Sequence, residues 1–227
     1  MNSVHKCTLL ANPQGYGWQY ALGIHNDVTW NPDDHEQFTL SRINISPPNY
    51  KFRDGEIKPK IIGSVRKRNC YFIHDSSLDP NEWFTQMCMI NASLKKTSAQ
   101  EIIDVFPYLK FSRGDKKDES GVPIAAKVVA DVIGLYADRL MTIDFHNQAI
   151  NGFYDIPVDN LSSHRTVADY LKKNHPQFLE NLVVVSTDLG GAKEARNFGK
   201  FVDCYGIAIG DKSRKSAGVV GEHQIVG

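Results

Sequence analysis

Four short stretches of the chain carry side chains that handle metal ions and phosphates. Asp144-Phe145-His146 directly follows the apolar run Leu140-Met141-Thr142-Ile143. A carboxylate and a neutral imidazole so placed hold a divalent cation directly or through water; a solvated strand end with Asp144 as a cap is the plainer alternative. Ser186-Thr187-Asp188-Leu189-Gly190-Gly191 follows a second apolar run, Leu182-Val183-Val184-Val185, and precedes a helical pattern. Its glycines admit close backbone approach, and the helix start offers free N–H groups to an anion. Asp188 would face a metal or a sugar hydroxyl, and a helix cap in a tight turn explains the same residues. The stretch is not a Walker A loop, because no Gly-Lys-Ser/Thr follows four spacer residues. Arg113-Gly114-Asp115-Lys116-Lys117 and Asp211-Lys212-Ser213-Arg214-Lys215 are two cationic loops, each after a strand pattern. Arginine grips phosphate with a planar fork and lysine as a point charge; a solvated charge run is the default for either loop alone. Phe52-Arg53-Asp54-Gly55-Glu56 combines an aromatic ring with two acids around a glycine, suited to a nucleobase or to a turn. Together, two acidic sites and two basic loops at the carboxyl ends of strands are the inventory of magnesium-dependent phosphoryl or pyrophosphoryl transfer.

The elements that would position these groups are legible in the hydrophobic pattern. Strands are predicted at residues 7–11, 38–45, 57–62 (an edge, given Pro59), 70–73, 102–106, 140–143, 182–185 and 204–209. Asn12-Pro13-Gln14-Gly15 reads as a turn, and Ser46-Pro47-Pro48-Asn49 as a break. A helix opens at Asp79-Pro80, with Asp79 as N-cap, and runs to Lys96. Its apolar residues Trp83, Met87, Ile90 and Leu94 recur at helical spacing. Further helices are predicted at 123–135, 166–174 and 192–202, and residues 218–227 read as the approach to another strand. Alternating strands and helices argue an α/β architecture with mostly parallel sheets. A weak twofold repetition divides it into domains 1–147 and 148–227, the second with few strands and read as incomplete.

Composition narrows the class. The 26 Lys and Arg balance the 26 Asp and Glu, so a basic nucleic-acid footprint is not the default reading. With 41% hydrophobic and 23% charged residues, the chain reads as globular rather than disordered. No apolar run reaches the ~18 residues of a membrane span, and the first residues lack the apolar core of a secretory signal. Cys7, Cys70, Cys88 and Cys204 form no C-x-x-C pair and read as free thiols of a cytoplasmic protein.

The run 106–117, Phe-Pro-Tyr-Leu-Lys-Phe-Ser-Arg-Gly-Asp-Lys-Lys, resembles the ATP loop of the ribose-phosphate pyrophosphokinase family. Gly121-Val122-Pro123-Ile124-Ala125-Ala126-Lys127 continues it. Met141-Thr142-Ile143-Asp144-Phe145-His146, Gly152-Phe153-Tyr154-Asp155-Ile156-Pro157-Val158-Asp159-Asn160-Leu161, the turn at 185–192 and the element at 52–56 match the same family. The resemblance covers roughly residues 50–227. It implies two phosphoribosyltransferase-like domains and transfer of the diphosphoryl group of ATP to ribose 5-phosphate with Mg2+, in nucleotide biosynthesis. It implies a homo-oligomer, dimer or hexamer, with no nucleic-acid or membrane partner. It also implies that Phe52, Asp54 and Glu56 contact adenine across a subunit interface, and that Arg113, Asp115 and His146 belong to the ATP site. Asp144, His146 and Asp188 would serve the metal; Asp188, Gly190 and Gly191 the sugar phosphate; Lys212 and Arg214 the mobile catalytic loop. The sequence departs from the family at Gly114, where Gln is usual, and at Thr187, where Pro is usual. It also ends before the family's acidic 5-phosphate loop, so a C-terminally shortened form is expected. A non-catalytic, nucleotide-binding regulatory homologue is the alternative; an ordinary phosphoribosyltransferase fits less well, because that loop defines it.

Overall fold

A computed structural model describes residues 6–29, 37–45, 51–216 and 219–226, with the backbone alone described for 211–216, 219–224 and 226. In chain order the elements are β1 (Cys7–Ala11), α1 (Tyr16–Val28), β2 (Phe38–Asn44), β3 (Lys60–Ile62), β4 (Asn69–Ile73), α2 (Pro80–Lys96) and β5 (Glu101–Phe106). They continue with α3 (Ala125–Gly134), β6 (Arg139–Ile143), β7 (Val158–Leu161), α4 (His164–Asn174), β8 (Val183–Ser186), α5 (Ala192–Val202), β9 (Gly206–Ser216) and β10 (Val219–Val226). The α/β architecture with mostly parallel sheets is as the sequence predicts.

The chain divides into two compact units, Met1–Leu161 and Ser162–Gly227. The division falls after Leu161 rather than near Asn147, because 158–161 forms a strand that pairs in parallel with β6, Leu140 beside Val158 and Ile143 beside Leu161. In the first unit the strand order is β3-β2-β1-β4-β5-β6-β7, with only β3 antiparallel to its neighbour. Side chains alternate across each strand, so two cores form. Leu10, Phe72, Ile102, Phe106 and Leu140 pack with Trp83, Met87, Ile90 and Leu94 of α2. Leu9, Ala11 and Ile73 pack with Ala21 of α1 on the other face. Asp79 caps α2 by accepting from the Asn81 N–H at 2.9 Å, with proline at the first position, as its sequence predicts.

Helix α1 has no counterpart in the sequence reading. It starts without a capping side chain of its own and carries no acid in its first turn, so local signals are missing. The break at 46–49 lies outside the described residues. The second unit holds a sheet in the order β10-β9-β8. Its strand β8 is apolar, as read, yet Val183 and Val185 are exposed at 43% and 55%, which departs from a fully buried strand. The four cysteines form no disulfide; burial pushes the Cys70 thiol up to about 12, and a thiol that stays protonated is unreactive. Among the described residues no helix is long and apolar enough to cross a membrane.

Candidate functional site

An open sheet of this kind usually takes its ligand where the strand order reverses, here between β1 and β4. That point is closed from within. The Asp75 carboxylate, just past β4, accepts the Tyr16 N–H at 3.0 Å, and its other oxygen accepts the Ser77 N–H at 2.8 Å and hydroxyl at 2.6 Å. The anion-binding start of α1 is therefore occupied by the chain's own carboxylate. Gly15 makes this possible, since a Cβ there would lie 2.0 Å from Asp75 Oδ2.

The open cavity of the first unit's polar side lies at the ends of β5 and β6. It encloses about 170 Å³ and is lined by Tyr108, Ser112 and Arg113 after β5 and by Asp144, Phe145 and His146 after β6. Arg113, Asp144 and His146 are thus brought together, with exposed side chains. Phe145 anchors the segment between its two polar neighbours. It is buried and stacks on Tyr154, and its N–H donates to Asn160 Oδ1 at 3.1 Å. Asp144 sits at φ 49° and donates its N–H to the Leu161 carbonyl at 2.9 Å. Thr142 ties the cavity floor together by donating its hydroxyl to the Phe106 carbonyl at 3.0 Å. Asp115 accepts from Asn147 Nδ2 at 2.8 Å, while Asn147 Oδ1 caps the turn at Ala149. Neither Asn147 nor Asn160 is a candidate on sequence grounds; the available signals are that Asn147 directly follows His146 and that Asn160 lies in the family-like stretch 152–161.

The donor set suits Mg2+ carried by a substrate. Among the described residues no three His, Cys, Asp or Glu side chains converge on one point. Mg2+ commonly takes one or two protein carboxylates and completes its octahedron with water and phosphate oxygens; Asp144 could supply one such carboxylate, with the His146 imidazole lining the same cavity.

Phe52, Asp54 and Glu56 form a tight turn. The Phe52 N–H donates to the Glu56 carbonyl at 2.8 Å, Gly55 takes φ 97°, and Asp54 Oδ1 accepts the Glu56 N–H at 3.1 Å. The Phe52 ring remains 52% exposed. In the second unit, Asp188 Oδ1 caps the turn into α5 by accepting the Gly191 N–H at 3.0 Å. A Cβ on Gly191 would meet Ser186 Oγ at 2.7 Å, so the glycine is required by packing there. Lys212 and Arg214, expected on a mobile loop, lie within β9, opposite His223 and Val220 of β10. The correction has a physical reason: the antiparallel partner β10 supplies backbone hydrogen bonds that a charge-rich segment lacks when read alone. The expected strand at the end of the chain is that partner.

A second cavity, of about 510 Å³, lies on the α1 face. It is walled by Tyr20, Ile24, Tyr71, Val105 and Met141 and offers little chemistry.

Fold and site together define an α/β protein of phosphoribosyltransferase-like fold with a cavity at the ends of β5 and β6. Residues 36–135 match the profile of the N-terminal domain of ribose phosphate pyrophosphokinase. A ribose-phosphate pyrophosphokinase of Hyphomonas neptunium is 37% identical over 195 residues, 86% of this chain and 61% of that protein. One of Wolinella succinogenes is 38% identical over 180 residues, 78% of this chain and 56% of that protein. The crystal structure of phosphoribosylpyrophosphate synthetase from Mycobacterium smegmatis superimposes with a TM-score of 0.77 at 24% identity, covering 98% of this chain and 67% of that one; this likeness is one of fold. The chain is thus related to the ribose-phosphate pyrophosphokinases, and the resemblance read from its sequence is borne out. It spans 61% of the length of the Hyphomonas neptunium protein and 56% of the Wolinella succinogenes one.

Proposed function

We propose that this protein is a Mg2+-dependent ribose-phosphate diphosphokinase of the cytoplasm. The 1-hydroxyl oxygen of ribose 5-phosphate attacks the β-phosphorus of ATP, and the bond from that phosphorus to the α–β bridging oxygen breaks. Phosphoribosyl pyrophosphate and AMP leave, and the hydroxyl proton passes to solvent. One observation carries this reading: Arg113, Asp144 and His146 line a single cavity in a chain related to proteins of that name.

In this reading Arg113 grips phosphate oxygens through its fork, and Asp115, held by Asn147, borders the nucleotide. Phe52 stacks on adenine, with Asp54 and Glu56 at its polar edge, from a neighbouring subunit of a homo-oligomer. Asp188, Gly190 and Gly191 receive the sugar phosphate. Lys212 and Arg214 steady the charge on the moving group. Mg2+ would neutralise phosphate charge; Asp144 and His146 in the first unit and Asp188 in the second are the residues that would each serve it. Positioning and charge neutralisation suffice for this transfer.

The test is direct: protein incubated with ATP, ribose 5-phosphate and MgCl2 should release AMP in a coupled assay. No AMP from well-folded protein overturns the reading. Two observations favour a second one, a nucleotide-binding regulatory homologue: Gly114 lacks the Gln side chain usual in the family, and an Asp188 oxygen is engaged as a cap. Separate titrations decide between them, since a regulatory homologue binds ATP without binding ribose 5-phosphate.

A further inference from the structure

The loop that carries Arg113 leaves β5 through an unusual backbone. Phe111 sits at φ 62°, in the left-handed region where a bulky residue persists only if its surroundings hold it. Those surroundings are aromatic. The Phe111 ring lies 6.3 Å from Trp83 and 6.4 Å, edge-on, from Phe84, both of α2. Trp83 meets Phe106 edge-to-face at 5.4 Å. His74 packs 4.0 Å from Phe106 and 3.9 Å from Phe72. The His74 ring is fixed in turn by Asp104, whose Oδ1 lies 3.0 Å from Nε2 and whose Oδ2 accepts from Asn91 Nδ2 at 2.6 Å. All three polar residues are buried. A continuous packed path therefore runs from a closed polar cluster, through Phe106 and Trp83, to the residue two positions before Arg113. Beyond it the turn is short: the Gly114 N–H donates to the Phe111 carbonyl at 3.1 Å, and the Ala126 N–H to the Gly114 carbonyl at 3.1 Å. The direction in which the backbone leaves Phe111 sets where Arg113 meets the cavity.

We infer that Phe111 is a positioning residue: its ring, wedged against Trp83 and Phe84, holds the left-handed turn that aims Arg113 into the cleft. The consequence for ATP rests on the function proposed above; the wedge itself does not. Glycine adopts the same φ at no steric cost, so Phe111→Gly removes the wedge while leaving the turn permitted. Phe111→Tyr keeps the ring.

Two readouts test this. Without ligand, tryptic cleavage after Arg113, Lys116 and Lys117 is followed by mass spectrometry. Phe111→Gly should be cut there at least ~10-fold faster than wild type, with other sites unchanged, and Phe111→Tyr should match wild type. With MgATP, Phe111→Gly should raise Kd about tenfold, equivalent to ~1.4 kcal/mol, with kcat at saturating ATP little altered. Phe84→Ala removes the half-buried outer part of the seat and should shift both readouts less, in the same direction; it carries the test should Phe111→Gly not fold. Wild-type cleavage rates in folded Phe111→Gly, or in folded Phe84→Ala in that case, overturn the inference. Failure of the wild-type protein to bind ATP overturns the nucleotide reading instead, and the cleavage rates still decide the wedge.

Discussion

Replacing Gly15 by alanine tests how the switch point of the first sheet is closed. The backbone of Gly15, at φ −106° and ψ 164°, is one that alanine adopts freely, so no conformational strain is introduced. The new Cβ would instead lie 2.0 Å from Asp75 Oδ2 and 2.9 Å from its carboxyl carbon. The carboxylate must leave, and it takes three hydrogen bonds with it, one to Tyr16 and two to Ser77. Loss of an N-cap bond costs ~1 kcal/mol, and each of the others contributes about 0.5–1.5 kcal/mol net. The expected destabilisation is therefore about 2–4 kcal/mol, or roughly 4–16 °C in Tm for a chain of this size. Asp75→Ala should cost a similar amount, for the same bonds. The double variant should cost little more than Asp75→Ala alone, because without the carboxylate the methyl's nearest neighbour there is the residue-75 Cβ, 3.3 Å away, which needs a shift of only a few tenths of an ångström. Urea unfolding of the four proteins gives the coupling energy. Additive single effects would refute the reasoning: Gly15 would then act through something other than Asp75.

Three further outcomes are expected, the first from the proposed function. Lys212→Ala should lower kcat ~10²–10³-fold, the usual cost of losing one charge-stabilising group, with ATP affinity nearly unchanged; weakened affinity at constant kcat would contradict its proposed role. Burial, partly opposed by Asp104, holds the His74 pKa below its ordinary value. The unfolded chain therefore binds the proton more readily, and stability should fall as pH drops below ~6.5, by at most ~1.4 kcal/mol per pH unit from this group. His74→Gln should lose that limb of the pH–stability curve in parallel urea titrations. Trp83→Ala removes a ring that is 1% exposed and central to the larger core; a cost of about 3–5 kcal/mol in urea unfolding is expected.

The sequence carried the elements whose signals are local. Helix α2 has its cap, its proline and its apolar stripe within one segment, and both its ends were read correctly. Helix α5 was likewise bounded by its glycines and the strand that follows. The candidate site residues were legible because they sit beside apolar runs, which is what strand ends look like in one dimension. Two elements escape local signals because the partner is distant. Helix α1 is capped by Asp75, about sixty residues away, and no window of sequence around Tyr16 contains that carboxylate. Residues 211–216 form a strand only by pairing with β10; their own charges suggest a loop.

By itself, then, the sequence determined the α/β alternation, the register of most helices and the kinds of side chain placed after each strand, because propensity, capping and hydrophobic period act over a few residues. Tertiary structure alone decided that the α1 terminus is filled, that Phe111 turns left-handed against Trp83, and that Arg113 shares a cavity with Asp144 and His146. Those outcomes depend on which atoms from separate strands reach the same few ångströms, and packing and charge fall off too steeply with distance for spacing along the chain to encode them.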